Sequence, residues 1–454
     1  MPSMEKGQLP AGLAAAVEAA TGAEIVAFER RGAGGASREG AALSLRYPDG
    51  RVVRCFMNYD VAKAGFGSDA DFLREAAVLR ALSGPLSASG VRTARFVASI
   101  PSSRALIGEF VEGEVDFNKL TSPVERLAVA GDFMAQLAAL HAIDGAAADI
   151  PELRPRVTVR ERIAALRERL EIHRDDPLAW LCLDWLERNV PSDPPRLSIV
   201  HGDAGPANFL YRDGKVTALL DWELVGLGDP MADLAMIAIR NLFQPFIPLP
   251  EAFAAYEAAG GSPVDRAKIR FYRILLLTAL VSGQRLLDPA SPRCPNLGMN
   301  LIYETVQRRT LAECLAEEIG VPLAPLVRPE IRPTGIDLAF DVALEDLRDS
   351  IVPALSDRRS VVKAKGLARL VKWWRSIDRL RPVLAAEELA ELAPLLGPHA
   401  SLDAGRQAFS AAVFEGRLAQ SDAVHLCYRQ AERDALLLAD AMGSLADRRF
   451  VPLE

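Results

Sequence analysis

The 454-residue chain has few cysteines and no long apolar run. Its five cysteines, Cys55, Cys182, Cys294, Cys314 and Cys427, are odd in number, far apart and form no CxxC pair. That excludes a disulfide-stapled scaffold and points to reduced thiols in a cytoplasmic compartment. The longest apolar stretch runs from Ile274 to Val281 and includes a threonine. A membrane span needs about 20 residues, so no membrane association is expected. The start, Met1-Pro2-Ser3-Met4-Glu5-Lys6, has no basic segment leading into an apolar one, so no secretory leader is expected. Basic excess is lacking too. Lys and Arg total 53 against 60 Asp and Glu, a net charge of −7, which disfavours a nucleic-acid partner. There is no solenoid-length repeat and no low-complexity tract. His141, His173, His399 and His425 show no metal-ligand spacing with cysteine or with each other.

What is present suits an ordinary globular chain. Half the residues are hydrophobic and 25% are charged, enough for more than one core and roughly three domains. Residues 1–115 mix glycine-rich turns with strand-like runs at Glu24–Glu29, Ala42–Tyr47, Val52–Met57, Phe96–Ile100 and Leu106–Val111. One amphipathic helix, Asp69–Leu82, puts Phe72, Ala76, Leu79 and Leu82 on a stripe. Residues 116–328 are mainly helical, with helices expected at 131–143, 160–171 and 271–287. The second of these is charged on most faces; the third is apolar nearly all round and is expected to be central. Pro322, Pro325, Pro329 and Pro333 mark a linker near 330. Residues 329–454 read as an α-helical bundle with helices at 336–355, 360–380, 386–396, 403–418 and 421–446. Trp373 and Trp374 are expected in its core.

The chemistry concentrates in His201-Gly202-Asp203, Asn208 and Asp221-Trp222-Glu223. Between them Asp213-Gly214 is a two-residue hairpin signal. Pairing Arg212 with Lys215 sets Tyr211 opposite Val216, Leu210 opposite Thr217, Phe209 opposite Ala218 and Asn208 opposite Leu219. Asp221 then shares a face with Asn208 at the diagonal position, about 7–8 Å away. Hard oxygen donors of this kind suit Mg²⁺, and phosphoryl transfer needs such ligands plus a separate carboxylate to orient the attacking hydroxyl.

These motifs resemble the catalytic core of the aminoglycoside phosphotransferase superfamily, small-molecule relatives of protein kinases. The resemblance implies Asp203 as catalytic base, Asn208 and Asp221 as Mg²⁺ ligands, and Glu223 as either a second metal ligand or a support for the loop. His201 would be structural. Asp229 and Asp233, in Gly228-Asp229-Pro230 and Asp233-Leu234-Ala235, would brace the catalytic loop. Gly34, Gly35 and Ser37 resemble the nucleotide loop, Glu75 the helix glutamate, and Glu109 and Val111 the hinge backbone that holds adenine. Leu140-His141-Ala142-Ile143-Asp144 is also typical. The version Gly34-Gly35-Ala36-Ser37-Arg38-Glu39 is similar to the branch of kinase domains fused to acyl-CoA dehydrogenases.

The family's basic residue on the strand after the loop is not obvious here. Arg54 is the candidate partner of Glu75, a different register puts Phe56 or Asn58 there, and Lys63 could reach in from the next segment. The implied fold is α/β of the protein-kinase-like two-lobe type with an appended all-α domain. The implied activity is ATP-dependent phosphorylation of a small-molecule alcohol, with GTP as an alternative donor. The apolar segment 271–287, continuing to Asn300, favours a hydroxyacyl-CoA or apolar catabolic alcohol over a polycationic antibiotic, the alternative acceptor. A reading of another class is a nucleotide-binding pseudokinase whose helical tail docks a partner enzyme or a second copy.

Overall fold

The structure is a computed structural model. It describes residues 9–31, 38–63, 67–154, 157–194, 196–284, 286–291, 294, 296–449, 451 and 453. Gly34, Gly35 and Ser37 of the nucleotide-loop expectation lie outside the described residues. In chain order the elements begin with α1 (Leu13–Thr21), β1 (Glu24–Arg31), β2 (Glu39–Arg46), β3 (Val52–Tyr59), α2 (Asp69–Leu82), β4 (Phe96–Ile100) and β5 (Ala105–Glu109). Then come α3 (Pro123–His141), α4 (Val159–Ile172), α5 (Pro177–Arg188), β6 (Ser198–Val200), β7 (Phe209–Arg212), β8 (Lys215–Leu219) and β9 (Gly226–Gly228). The remainder is helical: α6 (Pro230–Phe243), α7 (Leu249–Ala258), α8 (Arg266–Val281), α9 (Leu297–Ile319), α10 (Asp337–Glu345), α11 (Arg358–Leu396), α12 (Leu402–Phe414) and α13 (Gln420–Met442). Packing divides the chain into two compact units, residues 1–157 with 192–269 and 453–454, and residues 158–191 with 270–452. These seams follow packing, whereas the limits at 115 and 328 follow texture along the sequence.

In the first unit, five antiparallel strands form a sheet in the order β1-β2-β3-β5-β4. Strand alternation explains its two faces. Leu43 and Leu45 of β2 and Cys55, Met57 and Tyr59 of β3 pack with Leu13 and Val17 of α1. Phe72 and Ala76 of α2 pack on Leu106. Helix α2 starts where Ser68 and Asp71 form a capping box, each side chain bonded to the other's backbone N–H. Further on, β7 and β8 form the hairpin and β6 pairs with β9. This sheet with one long helix, followed by a hairpin set among helices, is the protein-kinase-like arrangement, here with a helical C-terminal region.

The second unit is all helical. Helix α8 stops at Val281 instead of reaching 287, because the chain turns at Gly283 with φ +75°. The helices expected at 360–380 and 386–396 are one continuous helix, α11, which runs through Pro382. An internal proline removes one helical hydrogen bond and costs about 3 kcal/mol, and burial of Leu380 and Leu384 on either side offsets that loss. Trp374 is not in a core; it is 44% exposed. All five cysteines are unpaired. Among the described residues no helix is long and apolar enough to cross a membrane.

Candidate active site

The site lies within the first unit and starts with the bend after β6. Gly202 has φ +83°, and a Cβ there would lie 2.2 Å from the Leu224 carbonyl oxygen. Only glycine fits a left-handed backbone pressed this closely on another strand of chain. Asp233 of α6, with no exposed surface, holds the bend from below. Its Oδ2 accepts from the His201 N–H at 2.7 Å and its Oδ1 from the Gly202 N–H at 2.8 Å. His141 Nε2 lies 2.9 Å from the same Oδ2, and His141 Nδ1 lies 2.8 Å from the Tyr256 hydroxyl. Burial pushes the Asp233 carboxyl up, but the hydrogen bond and charge of His141, with those of His201, hold it below the ordinary carboxylate range. Asp229 has a different place from the brace expected of it. It caps α6 through the Met231 N–H and pairs with Lys268 at 2.9 Å.

His201 is buried and structural. Its Nε2 faces the Leu220 carbonyl at 2.8 Å, and its Nδ1 accepts from the Asp203 N–H at 3.3 Å. Those partners select the neutral Nε2–H form, and burial lowers its pKa. The ring also packs on Trp222, 4.8 Å between centroids. One histidine thus ties the Asp203 bend to the segment carrying Asp221.

The hairpin turn has φ +52° at Asp213 and +75° at Gly214, as its sequence requires. The register differs from the simple count. Tyr211 faces Val216, but Leu210 faces Ala218 and Phe209 faces Leu219, so Thr217 is an extra, bulged residue. Its hydroxyl donates to the Glu112 carbonyl at 3.0 Å, which accounts for its leaving the ladder. Asn208 therefore meets Leu220, whose N–H donates to the Asn208 carbonyl at 2.8 Å. Asp221 is the next residue, not two past the partner, and it turns back through a left-handed φ of +62°. Aspartate tolerates that conformation better than most residues.

The Asn208 amide donates both of its hydrogens to Asp203, to the carbonyl and to Oδ2, each at 2.7 Å. Its Oδ1 accepts no hydrogen bond from the described residues. Asp221 is an exposed residue. Loss of water around its carboxyl, with Glu223 and Asp203 nearby, pushes its pKa up to about 6. Crowded anions beside a free amide oxygen form a donor set for a hard divalent cation. Among the described residues no three His, Cys, Asp or Glu side chains form a complete metal cage.

Glu75 is not met by Arg54. Alternation on β3 directs Arg54 away from Cys55 and Met57, and it pairs with exposed Glu112 at 3.0 Å over the Phe110 ring. Phe56 and Asn58 share its face, Phe56 with its ring against Phe110 and Asn58 exposed. Lys63 is engaged with Asp69 at 2.7 Å. The partner of Glu75 is Arg38, just before β2, at 2.6 Å. Arg38 also lies 3.5 Å from Glu223. Burial pushes the Glu75 carboxyl up to about 7 despite Arg38. Sequence reasoning quoted Arg38 only as part of a glycine-rich loop. The signal available was its place at the end of that loop, one step from a strand.

Arg240 of α6 was also missed. Its Nη1 lies 2.7 Å from both carboxylate oxygens of Asp203. The only sequence signal is a cation on a helix whose neighbours, Met236, Ile237, Ile239 and Leu242, are buried. At the hinge, the Glu109 N–H is already bonded to the Arg95 carbonyl at 2.8 Å. Val111 makes no backbone hydrogen bond with described residues.

Comparison with known proteins adds the following. Residues 60–272, just under half the chain, match the profile described as "Phosphotransferase enzyme family". Acyl-CoA dehydrogenase family member 11 of Pongo abelii is 26% identical over 189 residues, covering 38% of this chain and 23% of that protein. The Mus musculus protein of the same name is 25% identical over 257 residues, covering 53% and 32%. The chain thus spans about a quarter to a third of the length of these curated relatives. Among solved structures, macrolide 2'-phosphotransferase from Brachybacterium faecium is 21% identical with a TM-score of 0.42, covering 61% of this chain and 98% of that one. By that match, residues 60–272 are similar to the phosphotransferase enzyme family.

Proposed function

We propose that the chain transfers the terminal phosphoryl group of ATP to the hydroxyl of a small molecule. The observation that carries this reading is the meeting of Asp203, Asn208 and Asp221. Asn208 bonds Asp203 at 2.7 Å while its own carbonyl is bonded by the residue before Asp221. In this reading Asp203 orients the acceptor hydroxyl and receives its proton, the standard division of labour in phosphoryl transfer. Arg38, held by Glu75, takes the phosphate-anchoring role that Arg54 was expected to fill. The backbone of Val111, with no hydrogen bond to described residues, would hold the adenine. Asn208 Oδ1 and Asp221 would hold Mg²⁺, which supplies charge neutralisation at the nucleotide phosphates. Glu223 acts through Arg38 and stands ready as a second carboxylate.

For the acceptor we favour a hydroxylated acyl thioester or a similar apolar alcohol. The support is the likeness to acyl-CoA dehydrogenase family member 11. The unpaired cysteines suit a reducing, cytoplasmic setting.

The test is a panel of hydroxyacyl thioesters, simple alcohols and hydroxylated antibiotics incubated with ATP or GTP and Mg²⁺. The readout is the mass gain of one phosphate. Transfer to a thioester, lost in Asp203→Ala and Asp221→Ala, is the expected result. Transfer only to an antibiotic overturns the acceptor assignment. Tight ATP binding without transfer to any acceptor overturns the kinase reading in favour of a nucleotide-binding module.

A further inference from the structure

We infer that Arg240 is a positioning residue for phosphoryl transfer, fixing the Asp203 carboxylate so that one acceptor position on Oδ1 is left for the substrate hydroxyl. The inference rests on the kinase reading and assigns a role to a residue on α6, outside the catalytic motifs. Arg240 joins the two ends of the catalytic bend. Its Nη1 contacts Oδ1 and Oδ2 of Asp203, each at 2.7 Å. Its Nη2 and Nε donate to the Pro206 carbonyl at 2.7 and 3.3 Å. A guanidinium is a rigid planar fork, so fixing one side on Pro206 fixes where the other side meets Asp203.

The loop is shaped around this side chain. Gly205 has φ +148°, and a Cβ there would lie 2.9 Å from Arg240 Cδ and 3.1 Å from Nε. A residue other than glycine would collide with the arginine stem. The pair is also sheltered, with 21% of the Arg240 side chain and 24% of the Asp203 side chain exposed.

Counting acceptor positions gives the consequence. An ionised carboxylate has about four lone-pair sites, two on each oxygen. Oδ2 is filled by Arg240 and by Asn208 Nδ2 at 2.7 Å. Among the described residues Oδ1 accepts from Arg240 alone. The acceptor hydroxyl therefore donates to Oδ1. In the transfer its oxygen bonds to the terminal phosphorus, the bond from that phosphorus to the bridging oxygen of ADP breaks, and the hydroxyl proton passes to Oδ1. Without Arg240 the carboxylate turns about its Cβ–Cγ bond, and a misplacement of about 1 Å is enough to cost roughly a hundredfold in rate.

The experiment compares wild type, Arg240→Ala and Arg240→Lys in the full chain, with an acceptor that wild type phosphorylates. Arg240→Ala is expected to lower kcat about a hundredfold. KM for ATP and the dissociation constant of ATP with Mg²⁺ should stay within about threefold, since Arg240 has no part in the nucleotide site. Millimolar guanidinium should restore part of the kcat of Arg240→Ala, and the same concentration of ammonium should not. Arg240→Lys keeps a charge but cannot span Asp203 and Pro206 together, so its kcat should fall between the two. An unchanged kcat in Arg240→Ala overturns the inference and leaves the kinase reading standing. A parallel loss of kcat and ATP affinity with no guanidinium rescue also overturns it, showing that the residue only supports the fold. A wild type inactive on every acceptor overturns both.

Discussion

Arg38 and Glu75 meet at 2.6 Å with less than a tenth of either side chain exposed, although one precedes β2 and the other lies in the middle of α2. Arg74, next to Glu75, donates to the Val225 carbonyl at 2.9 Å. Two adjacent residues of α2 therefore reach the segment after Asp221, one directly and one through Arg38 and Glu223. Sheet, helix and metal-ligand loop are coupled by this short chain of contacts.

The first prediction separates Arg38 from Arg54. Removing one partner of a buried pair leaves the other charge uncompensated, at a cost of about 3–5 kcal/mol. Arg38→Met should weaken ATP binding at least tenfold and lower the unfolding midpoint in urea. Arg54→Ala loses only an exposed pair with Glu112 and should change ATP binding less than threefold. Calorimetric titration with ATP and Mg²⁺ checks both, and equal losses would return Arg54 to the phosphate role.

The second concerns Gly202. Alanine there would put its Cβ 2.2 Å from the Leu224 carbonyl oxygen, on a backbone with φ +83°. Left-handed strain costs about 1–2 kcal/mol and overpacking about 1–3 kcal/mol more. Gly202→Ala should be destabilised by about 3 kcal/mol in denaturant unfolding and should lose transfer activity. Gly131→Ala is the control, because nothing lies within 4 Å of a Cβ at that position.

Much of the fold was legible because local and long-range signals agree. Asp69–Leu82 shows its stripe and its limits directly in the sequence. The Asp213-Gly214 turn could be placed because few residues adopt its backbone angles. The strand pairing one turn further on could not, because the Thr217 bulge is set by a hydrogen bond to Glu112, about a hundred residues away. The same holds for the site. Asp203, Asn208 and Asp221 lie in one short stretch with fixed spacing. Arg38 and Arg240 acquire their partners only when β2 and α6 pack, and nothing local marks them. Continuity of α11 through Pro382 was illegible for a related reason, since local propensity argues for a break and burial on both sides overrides it.

The third prediction tests the support beneath the bend. Tyr256 is fully buried and its hydroxyl lies 2.8 Å from His141 Nδ1. Tyr256→Phe leaves a buried ring nitrogen without its donor, a loss of about 1–3 kcal/mol. His141 and Asp233 remain in contact in the variant, so kcat should fall by less than about tenfold while stability drops. Urea unfolding and steady-state kinetics on the same preparation check the split. A variant as stable as wild type would show that the hydroxyl contributes nothing to the brace.

The last prediction follows from the raised carboxyls. Glu75 titrates near 7 in the fold against an ordinary value of 4.5, because burial disfavours its charge. Between those values the folded chain binds more protons than the unfolded chain, so stability falls as pH rises. The contribution is fully present below about 4.5 and is lost by the time pH has passed through about 7. A shift of this size corresponds to roughly 3 kcal/mol. Asp221 adds a smaller loss over the range from 3.8 to about 6, discounted for screening because the residue is exposed. The nucleotide-free protein should therefore lose stability from pH 5 to pH 8 in urea unfolding. Glu75→Gln, which cannot ionise, should flatten that slope. Asp221→Asn should be at least as stable as wild type at pH 8 yet unable to transfer phosphate. Saturating ATP and Mg²⁺ should stabilise wild type most at the alkaline end, where the uncompensated charge is greatest. A wild-type slope identical to that of Glu75→Gln would mean that Arg38 already neutralises Glu75, and that the site carries no excess charge for a cation to offset.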